Sequence, residues 1–266
     1  MKAWLRVGIC LGLAILLVQL ILTGELPLFV NPRFTWLIIV SVLILVLLGL
    51  VQLWNMKGQE MHRIGAWGYF MLFVPIALYL LIPPKALDAS IAAKKGVTYL
   101  SAKSVNQQQQ AKALQPSKSK PDANPTADLT VPEDPYKKFI PQLQQESVIA
   151  LTQEKYADYY NTLNFYPQEF KGKKIKVKGF IYRDETMKKD QLVVGRFSVT
   201  CCTADAIVVG FLTEGKETAS LKVNDWVEVT GTLDVGRYDG VDMPVIKLES
   251  VEKVTPLKDP YVYFVY

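Results

Sequence analysis

FTWLIIVSVLILVLLGLVQLW, residues 34–54, carries no charged side chain and is built almost wholly of Leu, Ile and Val. At about 1.5 Å per helical residue, a run of this length crosses the roughly 30 Å hydrocarbon core of a bilayer. Trp36 and Trp54 stand near its two ends, at the headgroup level that indoles favour. This stretch makes the chain a membrane protein, and the remaining segments are read outward from it.

Upstream, residues 5–23 form a second apolar run with Gln19 in its interior and Lys2 and Arg6 at its N-terminal side. A cleaved signal peptide has a shorter apolar region ending in small residues. Thr23-Gly24-Glu25-Leu26-Pro27 offers no such site, so an uncleaved helix is expected. Downstream, residues 64–82 form a third run, flanked by Trp67, Tyr69 and Tyr79, interrupted by Pro75 and stopped at Pro83-Pro84. Residues 1–84 are therefore expected to be a membrane domain with three transmembrane helices, at about 5–23, 34–54 and 64–82. Lys2, Arg6, Lys57 and Arg63 put the N-terminus and the second connection in the cytoplasm. Lys85, Lys94 and Lys95 run against this, but the first helix usually dominates. The protein is expected to be multi-pass, with its C-terminal domain extracytoplasmic.

Charge divides the chain in the same way. Residues 1–125 hold 12 Lys+Arg against 4 Asp+Glu, and residues 126–266 hold 18 against 21. The second part has no concentrated positive charge of the kind that phosphate neutralisation requires, which excludes nucleic acid as an expected partner. Residues 85–135 read as a linker. Gln107 to Gln110 are followed by a mixture of Pro, Ser, Lys, Asp and Ala, too poor in apolar surface to offset the cost of ordering.

Residues 136–266 read as a soluble, mainly β domain. Tyr156, Tyr159, Tyr160 and Leu163 recur at helical spacing after Thr152, a candidate cap, and belong in a core. Strand patterns follow. Ile175, Val177 and Ile181 alternate with Lys174, Lys176 and Lys178, a half-buried strand with a cationic outer face. Asp225-Trp226-Val227-Glu228-Val229-Thr230-Gly231-Thr232-Leu233 is a phrase that OB-type barrels use in their fourth strand, and Trp226 is expected at the start of that strand. The fold class is thus an α-helical membrane domain plus a C-terminal mainly β domain, an OB-like small barrel or bent sheet.

Phe197-Ser198-Val199-Thr200-Cys201-Cys202-Thr203-Ala204-Asp205-Ala206 holds two of the three cysteines. Neighbours in a regular strand face opposite sides, so one reading makes one thiol a small buried hydrophobe and the other incidental. A second breaks the strand and brings Cys201, Cys202 and Asp205 onto a soft metal such as zinc. Asp184, Glu185, Asp239 and Asp242 are further loop carboxylates, and His62 is the one histidine. A third is a vicinal disulfide acting as a rigid platform or redox switch. Phosphate-binding, nucleophile-elbow and His-Glu-x-x-His motifs are absent from the sequence, and no enzymatic activity is expected.

Gly179-Phe180-Ile181-Tyr182-Arg183-Asp184 and Phe197 to Ala206, together with three N-terminal runs and a low-complexity tether, resemble the YcgQ-type family of bacterial membrane proteins. That family is described as the second subunit of a two-component permease. The resemblance implies a partner, a larger multi-spanning permease subunit, and it alone supplies the word permease. The spans lack interior charges, so three helices make a poor transport path by themselves. The chain is expected to be an accessory subunit whose β domain captures or gates a solute, such as a metal ion, or docks the partner. The alternative is a membrane-anchored protein-binding or thiol-redox module without a transport role.

Overall fold

The computed structural model describes residues 2–55, 66–82, 84–91, 134–183, 187–238 and 241–264. They fall into two compact units. One comprises Met1–Leu87 with Val199–Ala206, and the other Asp88–Ser198 with Ile207–Tyr266.

The first unit holds α1 (Lys2–Thr23), α2 (Thr35–Trp54) and α3 (Ala66–Leu81). Among the described residues, two helical stretches, Trp4–Thr23 and Pro32–Trp54, are long and apolar enough to cross a membrane, with mean hydropathies of 2.4 and 3.0. α2 turns Trp36, Leu43, Leu47, Leu50 and Trp54 outward, and Gly49 is its buried position. A Cβ at Gly49 would lie 2.9 Å from Leu11 Cδ2; the missing side chain is what brings α1 and α2 together. α3 has 16 residues with Pro75 inside, about 24 Å of helix, short of a full crossing. Its expected beginning at residue 64 lies outside the described residues. Arg6 Nε donates to Tyr69 Oη at 2.9 Å, and Tyr79 Oη donates to Glu25 Oε2 at 3.3 Å.

Two 3-10 turns, Leu26–Leu28 and Pro32–Phe34, connect α1 to α2. Asn31 caps the second by accepting from Arg33 N at 3.0 Å, and Pro32 at the first helical position gives up only an amide that would have had no partner. Residues 92–133, most of the expected linker, lie outside the described residues.

Among its described residues the second unit holds a sheet of seven strands: β1 (Val148–Ala150), β2 (Lys174–Tyr182), β3 (Gln191–Ser198), β4 (Ile207–Glu214), β5 (Trp226–Tyr238), β6 (Val241–Lys253) and β7 (Tyr261–Val262). Five are antiparallel or parallel neighbours in a closed circuit. β2 pairs β5, β5 pairs β6, β6 pairs β4 in parallel, β4 pairs β3, and β3 returns to β2. Glycines make the return feasible. A Cβ at Gly179 would meet Gly195 O at 2.5 Å, and one at Gly210 would meet Val194 O at 2.5 Å, so three strands bend past one another where backbones touch. β1 and β7 add parallel edges to β2 and β3.

The core gathers Ile175, Val177 and Ile181 of β2 with Leu192, Val194, Phe211, Val227, Val229 and Ile246. The tyrosine helix is α5 (Tyr156–Phe165), preceded by α4 (Ile140–Gln145). Tyr156, Tyr159 and Leu163 are buried in that core. The helix begins at Tyr156 with Lys155 in the cap position and no side-chain cap, three residues later than a Thr152 cap implies. Val227 and Val229 point inward, which turns Trp226 to the other face, half-buried against Phe180. The cationic face of β2 is neutralised across strands. Glu228 holds both Lys176 and Lys178, and Lys174 meets Glu249 at 2.8 Å.

Candidate functional site

Cys201 and Cys202 lie in the loop that joins β3 to β4, so strand alternation does not separate them. Thr203–Asp205 forms a 3-10 turn directly after them. The backbone amides of Thr200 and Cys201 donate to Asp205 Oδ1 and Oδ2 at 3.0 and 2.7 Å. The carboxylate thereby folds the loop back on itself, and both thiols emerge together with their Sγ atoms 3.6 Å apart. One donor atom each from Cys201, Cys202 and Asp205 lies within 4.8 Å of the others, and none of the three residues is buried. Both thiols are free.

The electrostatics follow from this arrangement. The hydrogen bond to Asp205, then that to Cys202, pushes the Cys201 thiol up to about 11. Burial alone would raise the Asp205 carboxyl, but the Cys201 thiol and the amides of Cys201, Thr200 and Cys202 hold it below the usual carboxylate range. Oδ1 takes the Thr200 amide and Oδ2 the Cys201 amide, so both carboxylate oxygens face the thiol loop.

These donors fit a tetrahedral soft metal. Zn–S bonds of about 2.3 Å at the tetrahedral angle put two sulfurs roughly 3.8 Å apart, close to the distance seen. Three protein donors with an exposed face leave a fourth position open, as in sites that exchange a ligand. Asp242 is elsewhere, on β6, accepting from Gln168 Nε2 at 2.9 Å. His62, Asp184, Glu185 and Asp239 lie outside the described residues.

The loop is held by the connection between α1 and α2. Asn31 N donates to Cys201 O at 3.0 Å, and Thr203 N donates to Phe29 O at 3.0 Å, so that Val30 and Cys202 form an isolated antiparallel bridge. Asn31 Nδ2 adds bonds to Val199 O at 3.1 Å and Thr200 O at 3.0 Å. Asn31 is 3% exposed. Its side chain uses both amide hydrogens on the thiol loop and its oxygen on the turn that begins α2. Sequence reasoning missed this residue: nothing local ties it to positions some 170 residues away.

A second polar feature was also missed, although an arginine within the apolar run of β3 is a visible signal. Arg196 is 1% exposed. Nε donates to Pro260 O at 3.2 Å, and Nη2 donates to Asp259 O at 2.9 Å and Tyr261 O at 2.8 Å. The guanidinium lies 5.3 Å over the Tyr156 ring. Burial lowers its pKa, opposed by Tyr156 and Asp259.

Comparison with known proteins spans nearly the full length. A 26% identical relative over 289 residues, covering 97% of this chain and 98% of the relative, is the UPF0703 protein YcgQ of Bacillus subtilis. A 28% identical one from Streptococcus mutans, over 92% of this chain and 93% of the relative, is named "Putative two-component membrane permease complex subunit". The DUF1980 N-terminal domain matches residues 5–98. The DUF1980 C-terminal domain matches residues 130–264, half of the chain, and with this pairing of apolar helices and sheet domain the protein belongs to the DUF1980 family.

Proposed function

We propose that this protein is the accessory subunit of a two-component membrane permease, catalyses no reaction itself, and captures a soft metal ion such as zinc at Cys201 and Cys202. The observation that carries the reading is the pair of thiols 3.6 Å apart on a loop bonded through Asn31 to the start of α2. Asp205 both folds the loop and offers the third donor. The open fourth position suits an ion that is handed onward to a larger multi-spanning partner, because a closed four-ligand site would retain it. The relative named as a permease complex subunit supports the assembly.

The same loop supports a topology. The connection between two spans lies on one side of the membrane, and residues bonded to it share that side. With Lys2 and Arg6 holding the N-terminus inside, the α1–α2 connection and the thiol loop are outside. The chain must then cross an odd number of times before residue 199, which makes α3 the third span. Tilt of its neighbours or local thinning of the bilayer accommodates its length. In the sheet domain, the closed circuit of five strands with one parallel pair supports an OB-type barrel.

A membrane-impermeant maleimide applied to intact cells tests the topology, and purification in mild detergent tests the assembly. Labelling of Cys201 and Cys202 from outside, with a multi-spanning protein retained in stoichiometric amount, is the expected result. Labelling only after lysis overturns the outward topology, and a chain that purifies alone overturns the accessory role. The thiol separation also favours one second reading. Loss of two electrons and two protons from the pair to an external oxidant gives a vicinal disulfide, and free-thiol counts before and after reduction separate it from metal capture.

A further inference from the structure

The sheet domain contains a cleft of about 460 Å³ with Arg196 in its lining. A buried guanidinium is costly unless its donors are met. Three carbonyls satisfy Nε and Nη2, while the described residues supply no acceptor for Nη1. Gln153 lines the same cleft. Its Nε2 donates to Tyr261 O at 2.8 Å and Asp259 Oδ2 at 3.3 Å. Both partners are acceptors, which fixes which end of the amide is oxygen. Oε1 is then buried with no donor. The residues lining the cleft thus include a guanidinium with one unmet donor and, on Gln153, an acceptor without a donor, in a volume typical of small-molecule sites.

The charges around them narrow the ligand. Lys176, Lys178 and Lys258 line the cleft with Arg196, against Glu228 and Asp259. Glu228 is already held by Lys176 and Lys178, and Asp259 by Gln153 and Tyr263. The surplus is positive. A carboxylate answers Arg196, and a neutral hydroxyl answers Gln153 Oε1, whereas an ammonium would meet four cations.

We propose that this cleft, formed by Arg196 and Gln153, binds a small hydroxycarboxylate anion. The inference stands apart from the thiol loop and does not depend on metal capture.

Calorimetry on the full-length protein in detergent, with L-malate, succinate and inorganic phosphate as probes, tests it. Malate should bind about tenfold more tightly than succinate, which lacks the hydroxyl, the effect of one buried hydrogen bond left unmade. Gln153→Ala should remove that preference while melting as the wild type does. Arg196→Lys should weaken both ligands, because a lysine cannot reproduce the guanidinium geometry. If Arg196→Lys does not fold, Gln153→Ala decides. Cys201→Ser with Cys202→Ser should leave malate binding unchanged even if metal binding is lost. Phosphate binding as tightly as malate, a malate preference that survives Gln153→Ala, or no heat with any probe overturns the proposal.

Discussion

α2 and β2 are both rich in aliphatic residues, yet they bury them by opposite rules. α2 presents Leu, Ile and Val around most of its circumference, with Gly49 as its buried point. β2 alternates Ile175 and Val177 inward with Lys174 and Lys176 outward before becoming buried on both faces near its end. A helix apolar all round has hydrocarbon as its solvent, and its side chains gain little by meeting protein. A strand with one charged face has water on that face, and its stability lies in the core it covers.

Truncation should therefore separate the two regions most strongly. Phe211→Ala, in the core of the sheet domain, is expected to cost about 3–5 kcal/mol. Leu43→Ala on the outer face of α2 should change stability by no more than about 0.5 kcal/mol. Denaturant unfolding of the full chain in detergent measures both, and equal losses would break the contrast.

Much of this was legible in the sequence because it is periodic. The apolar runs of α1 and α2, the alternation of β2 and the helical tyrosines are local patterns. The strand circuit is less so. It depends on Gly179, Gly195 and Gly210 meeting where β2, β3 and β4 cross, and a glycine in a strand announces an irregularity without naming its neighbour. The thiol loop is the clearest limit. Cys201, Cys202 and Asp205 could be picked out by residue type. Their convergence required a break in the strand, and their attachment to Asn31 is a long-range hydrogen-bonding outcome. Trp226 shows that one step of register decides a face, since Val227 and Val229 claim the core.

Asn31→Ala addresses that long-range attachment. It leaves the carbonyls of Val199 and Thr200 and the amide of Arg33 without their partner, and should weaken loop attachment by about 1–3 kcal/mol. Faster hydrogen exchange at Asn31-neighbouring amides and at Thr203 is the expected readout; unchanged protection would show that the Val30–Cys202 bridge holds the loop alone.

The water-facing ion pairs should have smaller effects, with a defined pH signature. Burial alone would raise Glu228, but Lys176 and Lys178 hold it below its usual range. Its folded-state pKa is depressed, so its contribution is present above the ordinary carboxylate value and lost as pH falls through the depressed one. In Lys176→Ala with Lys178→Ala, that acid-side loss should flatten or reverse in unfolding measured from neutral pH downward. Lys253→Ala removes a more exposed pair with Asp225, 2.6 Å apart, and should cost only about 0.2–1 kcal/mol, diminishing further in high salt.

The metal content of the full-length protein tests the central claim most directly. After equilibration with zinc and removal of excess, the wild type should retain about one ion per chain, as three donors with an open position allow. Cys201→Ser and Cys202→Ser should each abolish retention while melting unchanged. Zinc retained equally by the variant lacking both thiols, or absent from a wild type whose two thiols are shown to be free and reduced, would contradict the account.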